Sequence, residues 1–396
     1  MPAGRGIVIG AAVRTPIGRF GGALAGLGAV ELGVVAGRGA LASDGLDPVA
    51  VDEVIVANAR QAGVGPNPGR AMVPGLGLPE TVTGTTINMA CGSGLKAVAM
   101  AAGAIAAGDA GVVLVVGVEA MSQIPYLLRG ARWGYRGGHG EVTDALHHDG
   151  LICALTGQHM GLTAENVAVR YGISRVESDE YAVSSQRRAA VAVAGGHFAG
   201  QIVPVPLDGP ASLDSDEHPR PSTTLAKIAR LKPVFQDDGV VTAASAAGIA
   251  DGAAALVVAA EDRAGELGLA PLLRLRGWAA AGLDPSYMGL GPVPATQQVL
   301  AELGLDIGAL DLIEINEAFA PQVLACQREL GYDPARTNVD GGAIALGHPI
   351  GMTGVRLLVA LAHALPRVGG RLGLATLCIN GGMGFSMVVE RSAAAT

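Results

Sequence analysis

The stretch Thr83-Gly-Thr-Thr-Ile-Asn-Met-Ala-Cys91-Gly-Ser-Gly-Leu95, running on to Gly108, decides how the rest of the chain is read. Its first residues, 83–90, form a short β-rich approach. From Leu95 the apolar residues Leu95, Val98, Ala102 and Ile105 recur at helical spacing, with alanine filling the gaps. Between the two lies Cys91-Gly92-Ser93-Gly94, where glycine permits a tight turn and the close approach of another group. A cysteine at that junction meets a helix N-terminus, whose free N–H groups and dipole favour a thiolate. Cys91 is therefore a candidate nucleophile. The competing reading is an inert buried thiol, the commoner fate of a free cysteine.

Composition narrows the setting. A chain of 396 residues has room for two or three domains and a large core. Half of it is apolar, 3% is aromatic and 60 residues are glycine, which describes an α/β protein with tight helix–sheet packing. The formal charge of −8, with lysine only at 96, 227 and 232, argues against nucleic acid or an anionic membrane as partner. A phosphate-bearing ligand must then be held by a few local arginines. Cysteines 91, 153, 326 and 378 are far apart and form no CxxC, which speaks against a disulfide framework or a zinc ribbon and for a reducing, cytoplasmic setting. The N-terminal stretch turns glycine-rich before an h-region forms, so no signal peptide is expected. The apolar runs 97–108 and 252–260 are short for a bilayer.

The chain repeats itself. Gly6-Ile-Val-Ile-Gly-Ala-Ala-Val reads as a buried strand, and 29–41 as an alanine-rich helix. Val51-Asp-Glu-Val-Ile-Val lines up with Leu310-Asp-Leu-Ile-Glu-Ile, and 111–118 with 370–377, both by the same shift along the chain. The run 111–118 is apolar at every position, as expected of a strand covered on both faces. The turn-to-helix unit at Cys91 falls opposite Gly347-His-Pro-Ile-Gly-Met-Thr-Gly. Three elements in register point to a duplicated βα unit. The more polar segment 120–241 does not repeat. It holds His139, His147 and His148, a helix opening on the capping-box pattern Ser174-x-x-Glu177, and a loop rich in proline and aspartate. It reads as an insertion, giving an N-terminal half of 1–119 plus 242–271, an inserted domain of 120–241, and a C-terminal half of 272–396.

Three further places carry polar or reactive groups. Asn316-Glu-Ala-Phe-Ala follows directly on the strand 312–315, at the end of a strand where ligands bind in open α/β sheets. His348 lies in a glycine-rich turn ahead of a helix. Cys378 ends a strand, with glycines close behind. Singly, each has an ordinary packing or capping role. Together they occupy equivalent ends of duplicated units, and an internal pseudo-twofold brings those ends together as a nucleophile, a base and an oxyanion donor.

These residues, with Arg14-Thr-Pro-Ile-Gly, Asn88-Met-Ala-Cys-Gly-Ser-Gly-Leu-Lys-Ala, His159-Met-Gly-Leu-Thr-Ala-Glu-Asn-Val-Ala, Asp251-Gly-Ala-Ala-Ala, 342–354 and Cys378-Ile-Asn-Gly-Gly-Met-Gly, give the chain its resemblance to the thiolase family over essentially its full length. The resemblance implies a duplicated, five-layered αβαβα core with an inserted loop domain that binds coenzyme A. It implies acyl transfer between thioesters: Claisen condensation of acyl-CoA units, and thiolysis in reverse, in fatty-acid and related metabolism. By the same resemblance Cys91 accepts the acyl group, His348 deprotonates it, and Cys378 moves the α-proton. Asn316, through a water, forms one oxyanion site with His348; the backbone N–H groups of Cys91 and Asn380 form the other. Leu151, His159, Met160, Phe235, Ala243, Ala247, Met288 and Phe319 are implied to line the channel for pantetheine and acyl group, and Arg220 to meet the nucleotide phosphate. Coenzyme A is implied as substrate and product, with no separate cofactor and no metal. A hairpin at about 129–142 implies a homotetramer, a dimer of dimers.

The sequence departs from the family pattern at Asn380, where glycine is usual, at Ala247, where serine is usual, and at Gly351-Met-Thr-Gly, where Gly-Ala-Ser-Gly is common. Asparagine is the least costly non-glycine choice if residue 380 needs positive φ. All three touch the pocket and predict a preferred β-ketoacyl chain other than C4. Three other readings compete: a ketoacyl synthase on the same fold, a non-catalytic CoA-ligand binding protein, and a nicotinamide enzyme suggested by Gly92-x-Gly94-x-x-Ala97. The first lacks a role for Cys378, and the last two leave Cys91, His348 and Cys378 without one.

Overall fold

Two sheets meeting at their edges carry the rest of the molecule. The computed structural model describes residues 5–392; Met1–Gly4, the start of the stretch read above for a leader, lie outside it, as do the last four residues. The long strands are Ile7–Arg14 (β1), Glu53–Ala57 (β2), Thr83–Ile87 (β3), Val112–Ala120 (β4), Ala250–Ala260 (β5), Leu273–Gly282 (β6), Leu312–Ile315 (β7), Leu372–Ile379 (β8) and Met383–Arg391 (β9). The long helices are Ala29–Asp44 (α1), Pro68–Gly75 (α2), Ser93–Ala107 (α3), Met160–Tyr171 (α4), Arg175–Ala194 (α5), Pro292–Leu303 (α6), Ala320–Leu330 (α7) and Ile350–Arg367 (α8).

The first half-sheet runs β3-β2-β4-β5-β1 and the second β7-β8-β9-β6. They join through β1 and β6, where only Val8 pairs with Arg274 and Ile9 with Leu273. In each half the strands of the expected repeat sit side by side in parallel, β2 with β4 and β7 with β8. A parallel bridge between Ile313 and Thr337 extends the second half where β3 extends the first. All of β4 is buried, as its unbroken apolar run requires.

Helices α3 and α8 lie between the half-sheets and share one core with both. Helices α1 and α2 cover the outer face of the first, and residues of α6 and α7 the outer face of the second. The result is five layers, α, β, α, β, α. The window Ala90–Ala107 has the length and mean hydropathy (1.4) of a membrane span, but its helical part is α3, packed between two sheets. The central pair crosses at glycine: a Cβ added to Gly94 would lie 2.6 Å from Val355 N, and one added to Gly354 would lie 2.4 Å from Leu95 N. Only residues without side chains let the two backbones touch there.

Within 120–241, Ser174 caps α5 by accepting Glu177 N–H (3.2 Å) while Glu177 Oε2 accepts Ser174 N–H (2.8 Å), the reciprocal box read from the sequence. Helices α4 and α5 pack on α7, so this segment rests on the second half.

Candidate active site

Cys91 lies one residue before the cap of α3. Ala90, just ahead of it, has φ +46, a left-handed conformation that costs a non-glycine residue about 1–2 kcal/mol. Neighbours over-determine the turn. Asn88 Oδ1 accepts Ala90 N–H (2.9 Å), and Ser93 Oγ accepts Met89 N–H (2.8 Å) while donating to Ala90 O (2.7 Å). Strain thus falls on an alanine, and the glycines after Cys91 serve close approach.

His348 stands ahead of α8, its N–H donating to Gly248 O (2.9 Å). Its Nδ1 lies 2.6 Å from Thr353 Oγ1, and that hydroxyl donates to Pro349 O at 2.9 Å. With its single proton committed, Thr353 can only accept from the ring. Nδ1 therefore carries the imidazole proton, and Nε2 keeps a bare lone pair. Burial, then the charges of Arg356 and Arg60, push the His348 pKa down to about 3. A neutral imidazole with an unprotonated Nε2 is a base at rest.

Nε2 faces Asn316 Nδ2 at 3.4 Å. Asn316 is fully buried at the end of β7, and its Oδ1 has no partner among the described residues. Next to it, Glu317 is structural: its carboxylate accepts from Tyr181 Oη (2.9 Å), Ser185 Oγ (2.7 Å), Asn338 Nδ2 (3.0 Å) and Ile344 N–H (3.1 Å), tying α5 to the core.

Cys378, at the end of β8, is buried; burial and then the neighbouring Cys91 thiol hold its pKa well above an ordinary thiol's. Cys91 itself is half-buried and opens to the cavity. Burial pushes its pKa up, opposed first by the Arg60 charge and then by N–H groups of Asn380 and of Cys91 itself. Both N–H groups act at the Cys91 sulfur, beside the position where the oxyanion of a sulfur-bound acyl group would develop.

Nine of the residues picked from the sequence line one cavity of about 80 Å³: Cys91, His348, Cys378, Asn380, Leu151, Met160, Ala247, Met288 and Phe319. Outward from Phe319 the apolar wall continues edge-on to Phe235 (6.0 Å), which stacks on His159 (4.8 Å). His159 also caps α4, its Nδ1 accepting Gly161 N–H (3.0 Å). Ala243 and Arg220 are exposed and stand outside this lining. A larger cavity, about 1020 Å³ and lined by Arg274, Arg371 and Glu390, contains none of the reactive groups.

The condition set for residue 380 is not met. Positive φ falls on Gly381 (+91) and Gly382 (+79), and Asn380 is not among the residues that adopt it. Its side chain has a different use, Nδ2 donating to Gly150 O at 3.0 Å. Sequence reading also passed over Thr353 as a ring anchor, Gly150 in the wall, and Glu119, whose carboxylate accepts N–H groups from Ala59 (3.1 Å), Arg60 (3.0 Å) and Gly351 (2.8 Å). Thr353 stood in a motif already under scrutiny. Arg60 follows β2 and Glu119 ends the apolar run of β4, and neither carries a local signal.

A duplicated α/β core that turns two thiols and a neutral imidazole onto one narrow cavity defines an enzyme class that exchanges acyl groups through a cysteine thioester. Residues 7–262 match the family model for the thiolase N-terminal domain and residues 269–391 the model for the thiolase C-terminal domain, so the chain belongs to the thiolase family. It is 51% identical over 388 residues to an acetyl-CoA acetyltransferase of Escherichia coli K12, covering 97% of this chain and 98% of that one. Among solved structures, the acetyl-CoA acetyltransferase from Syntrophomonas wolfei superimposes with a TM-score of 0.96 at 42% identity, covering 98% of this chain and all (100%) of the other. The human mitochondrial 3-ketoacyl-CoA thiolase in complex with CoA gives 0.95 at 41% identity, covering 98% of each chain.

Proposed function

We propose that this cavity carries out the thiolase reaction, with Cys91 as the acyl carrier, and that acetyl-CoA and short β-ketoacyl-CoA are its substrates. In condensation, His348 Nε2 takes the Cys91 proton and the sulfur attacks the thioester carbon of acetyl-CoA. Coenzyme A leaves with that proton, and the acetyl group stays on Cys91. Cys378 first gives its own thiol proton to His348, which is neutral again, and as the thiolate removes the α-proton of a second acetyl-CoA. The enolate carbon attacks the acetyl-Cys91 carbonyl, the C–S bond breaks, and Cys91 departs as thiol with the proton from His348. Thiolysis runs the same steps backward, Cys378 returning the α-proton to the leaving acetyl-CoA.

The observation that carries this reading is the shared cavity of Cys91, His348, Cys378 and Asn380, with the His348 tautomer fixed by Thr353. Asn316, holding a water, and His348 serve the enolate oxygen, while the N–H groups of Cys91 and Asn380 serve the acyl oxygen. The narrowness of the cavity supports acetyl transfer, against the shift from C4 expected from residues 380, 247 and 351–354. His159, Phe235 and Phe319 offer pantetheine an apolar track, and exposed Arg220 is placed to meet a phosphate. A homotetramer is supported by the arm between Tyr126–Leu127 and Thr143–Asp144, which pair as a hairpin base and hold Trp133 out at 85% exposure. Free thiols at all four cysteines support a reducing, cytoplasmic setting.

Initial rates of acetoacetyl-CoA thiolysis, varied in both substrates, test the reading. Parallel double-reciprocal lines are expected of a covalent acyl intermediate; intersecting lines would overturn it.

A further inference from the structure

Arg60, just after β2, is buried at 6% exposure, and no carboxylate lies within ion-pair distance of its guanidinium among the described residues. A buried cation without a close partner is costly, and arginine escapes the cost poorly because it stays charged. Its hydrogen bonds go to two backbone carbonyls: Nη1 donates to Ala59 O (3.1 Å) and Nη2 to Gly150 O (2.9 Å), while Nε has no partner among the described residues. Each carbonyl also holds an asparagine of a catalytic loop. Ala59 O accepts from Asn88 Nδ2 (3.1 Å), the residue that shapes the Cys91 turn. Gly150 O accepts from Asn380 Nδ2 (3.0 Å), whose N–H reaches Cys91. The guanidinium lies so close to Gly150 that a Cβ there would stand 2.5 Å from Nε.

Resting on the function proposed above, we infer that Arg60 is a positioning residue for Cys91. Its fork and the Asn380 amide clamp the Gly150 carbonyl, fixing that wall of the acyl cavity and keeping a buried positive charge near the nucleophile. The charged and titratable groups around Cys91 are Arg60, Glu119 at the end of β4, His348 ahead of α8 and Cys378 at the end of β8. Arg60 weighs on Cys91 second only to burial, favouring the thiolate. Behind burial and Arg356, Arg60 also lowers the His348 pKa. Glu119, held near 7 by burial against the same arginine, opposes it in part.

The test reads Cys91 directly and needs no turnover: iodoacetamide alkylation of Cys91, followed by peptide mass from about pH 6 to 10, in the wild-type chain, Arg60→Met and Arg60→Lys. Arg60→Met is expected to move the alkylation midpoint upward by about one unit, which is about tenfold slower alkylation at neutral pH. Arg60→Lys, which keeps the charge, is expected to stay near wild type. An unchanged midpoint in Arg60→Met, or an equal shift in Arg60→Lys, overturns the electrostatic role. Asn380→Gly covers the case in which Arg60→Met does not fold. It is expected to raise kcat/KM for longer β-ketoacyl-CoA relative to acetoacetyl-CoA several-fold at an unchanged alkylation midpoint, and an unchanged ratio overturns the clamp. Absence of thiolysis in the wild-type chain, with the alkylation shift of Arg60→Met intact, would refute the assigned reaction and leave Arg60 in its place.

Discussion

Replacing Thr353 by valine removes one oxygen and tests how His348 is kept a base. Valine has the shape of threonine, so packing at this fully buried site is retained. What is lost is the acceptor 2.6 Å from Nδ1. A buried N–H stripped of its partner costs about 1–3 kcal/mol. The ring can avoid that cost by moving its proton to Nε2, where the Asn316 amide can turn its oxygen to accept it, but that tautomer cannot take a proton from Cys91. Either way the productive form is disfavoured by the same amount, and each 1.36 kcal/mol or so is tenfold in rate. Thr353→Val is therefore expected to lower kcat for acetoacetyl-CoA thiolysis about 10- to 100-fold. KM should change little, because Thr353 does not line the cavity. Thr353→Ser restores the acceptor and should fall within about threefold of wild type. Steady-state thiolysis at saturating CoA is the assay. A Thr353→Val enzyme within about twofold of wild type would show that the hydroxyl does not set the tautomer.

Three more outcomes follow from the same geometry. Cys378→Ala should still form acetyl-Cys91 and exchange labelled CoA with acetyl-CoA, yet lose condensation by more than about 100-fold, since only carbon–carbon chemistry needs the second thiol; equal loss of both would merge the two roles. Burial lifts Glu314 to about 8, so between about 4.5 and 8 the folded chain holds a proton that the unfolded chain gives up, and stability falls as pH rises through that window. Urea unfolding at several pH values should show a shallower decline in Glu314→Gln, and an unchanged slope would remove Glu314 from the account. Gly94→Ala forces a methyl against the α8 backbone and should cost at least about 1–3 kcal/mol in a thermal melt; a neutral result would mean that α3 and α8 do not touch there.

The duplication was legible because its signals are local and repeated: apolar runs such as 111–118, glycine-punctuated turns, and a constant shift between halves. Cys91, His348 and Cys378 could be picked because reactive side chains at strand or helix ends stand out against small apolar neighbours. The support behind them could not. Thr353 matters through a proton it has already given to Pro349 O. Asn380 was explained from backbone conformation, whereas its side chain reaches Gly150, 230 positions away in sequence. Arg60 reads as an ordinary residue after a strand, and only the folded chain shows both of its carbonyls leading to catalytic loops. Ala90 carries the strain that the neighbouring glycines suggested for themselves. Such contacts join segments whose spacing follows no period, so no pattern in the sequence announces them.

The central claim is that Cys91 carries the acyl group. Incubation with acetyl-CoA, acid quenching and peptide mapping tests it most directly. The account predicts an acetyl group on the peptide containing Cys91, removed when free CoA is added before the quench. An unmodified Cys91, or an acetyl group found on Cys378 in its place, would contradict it.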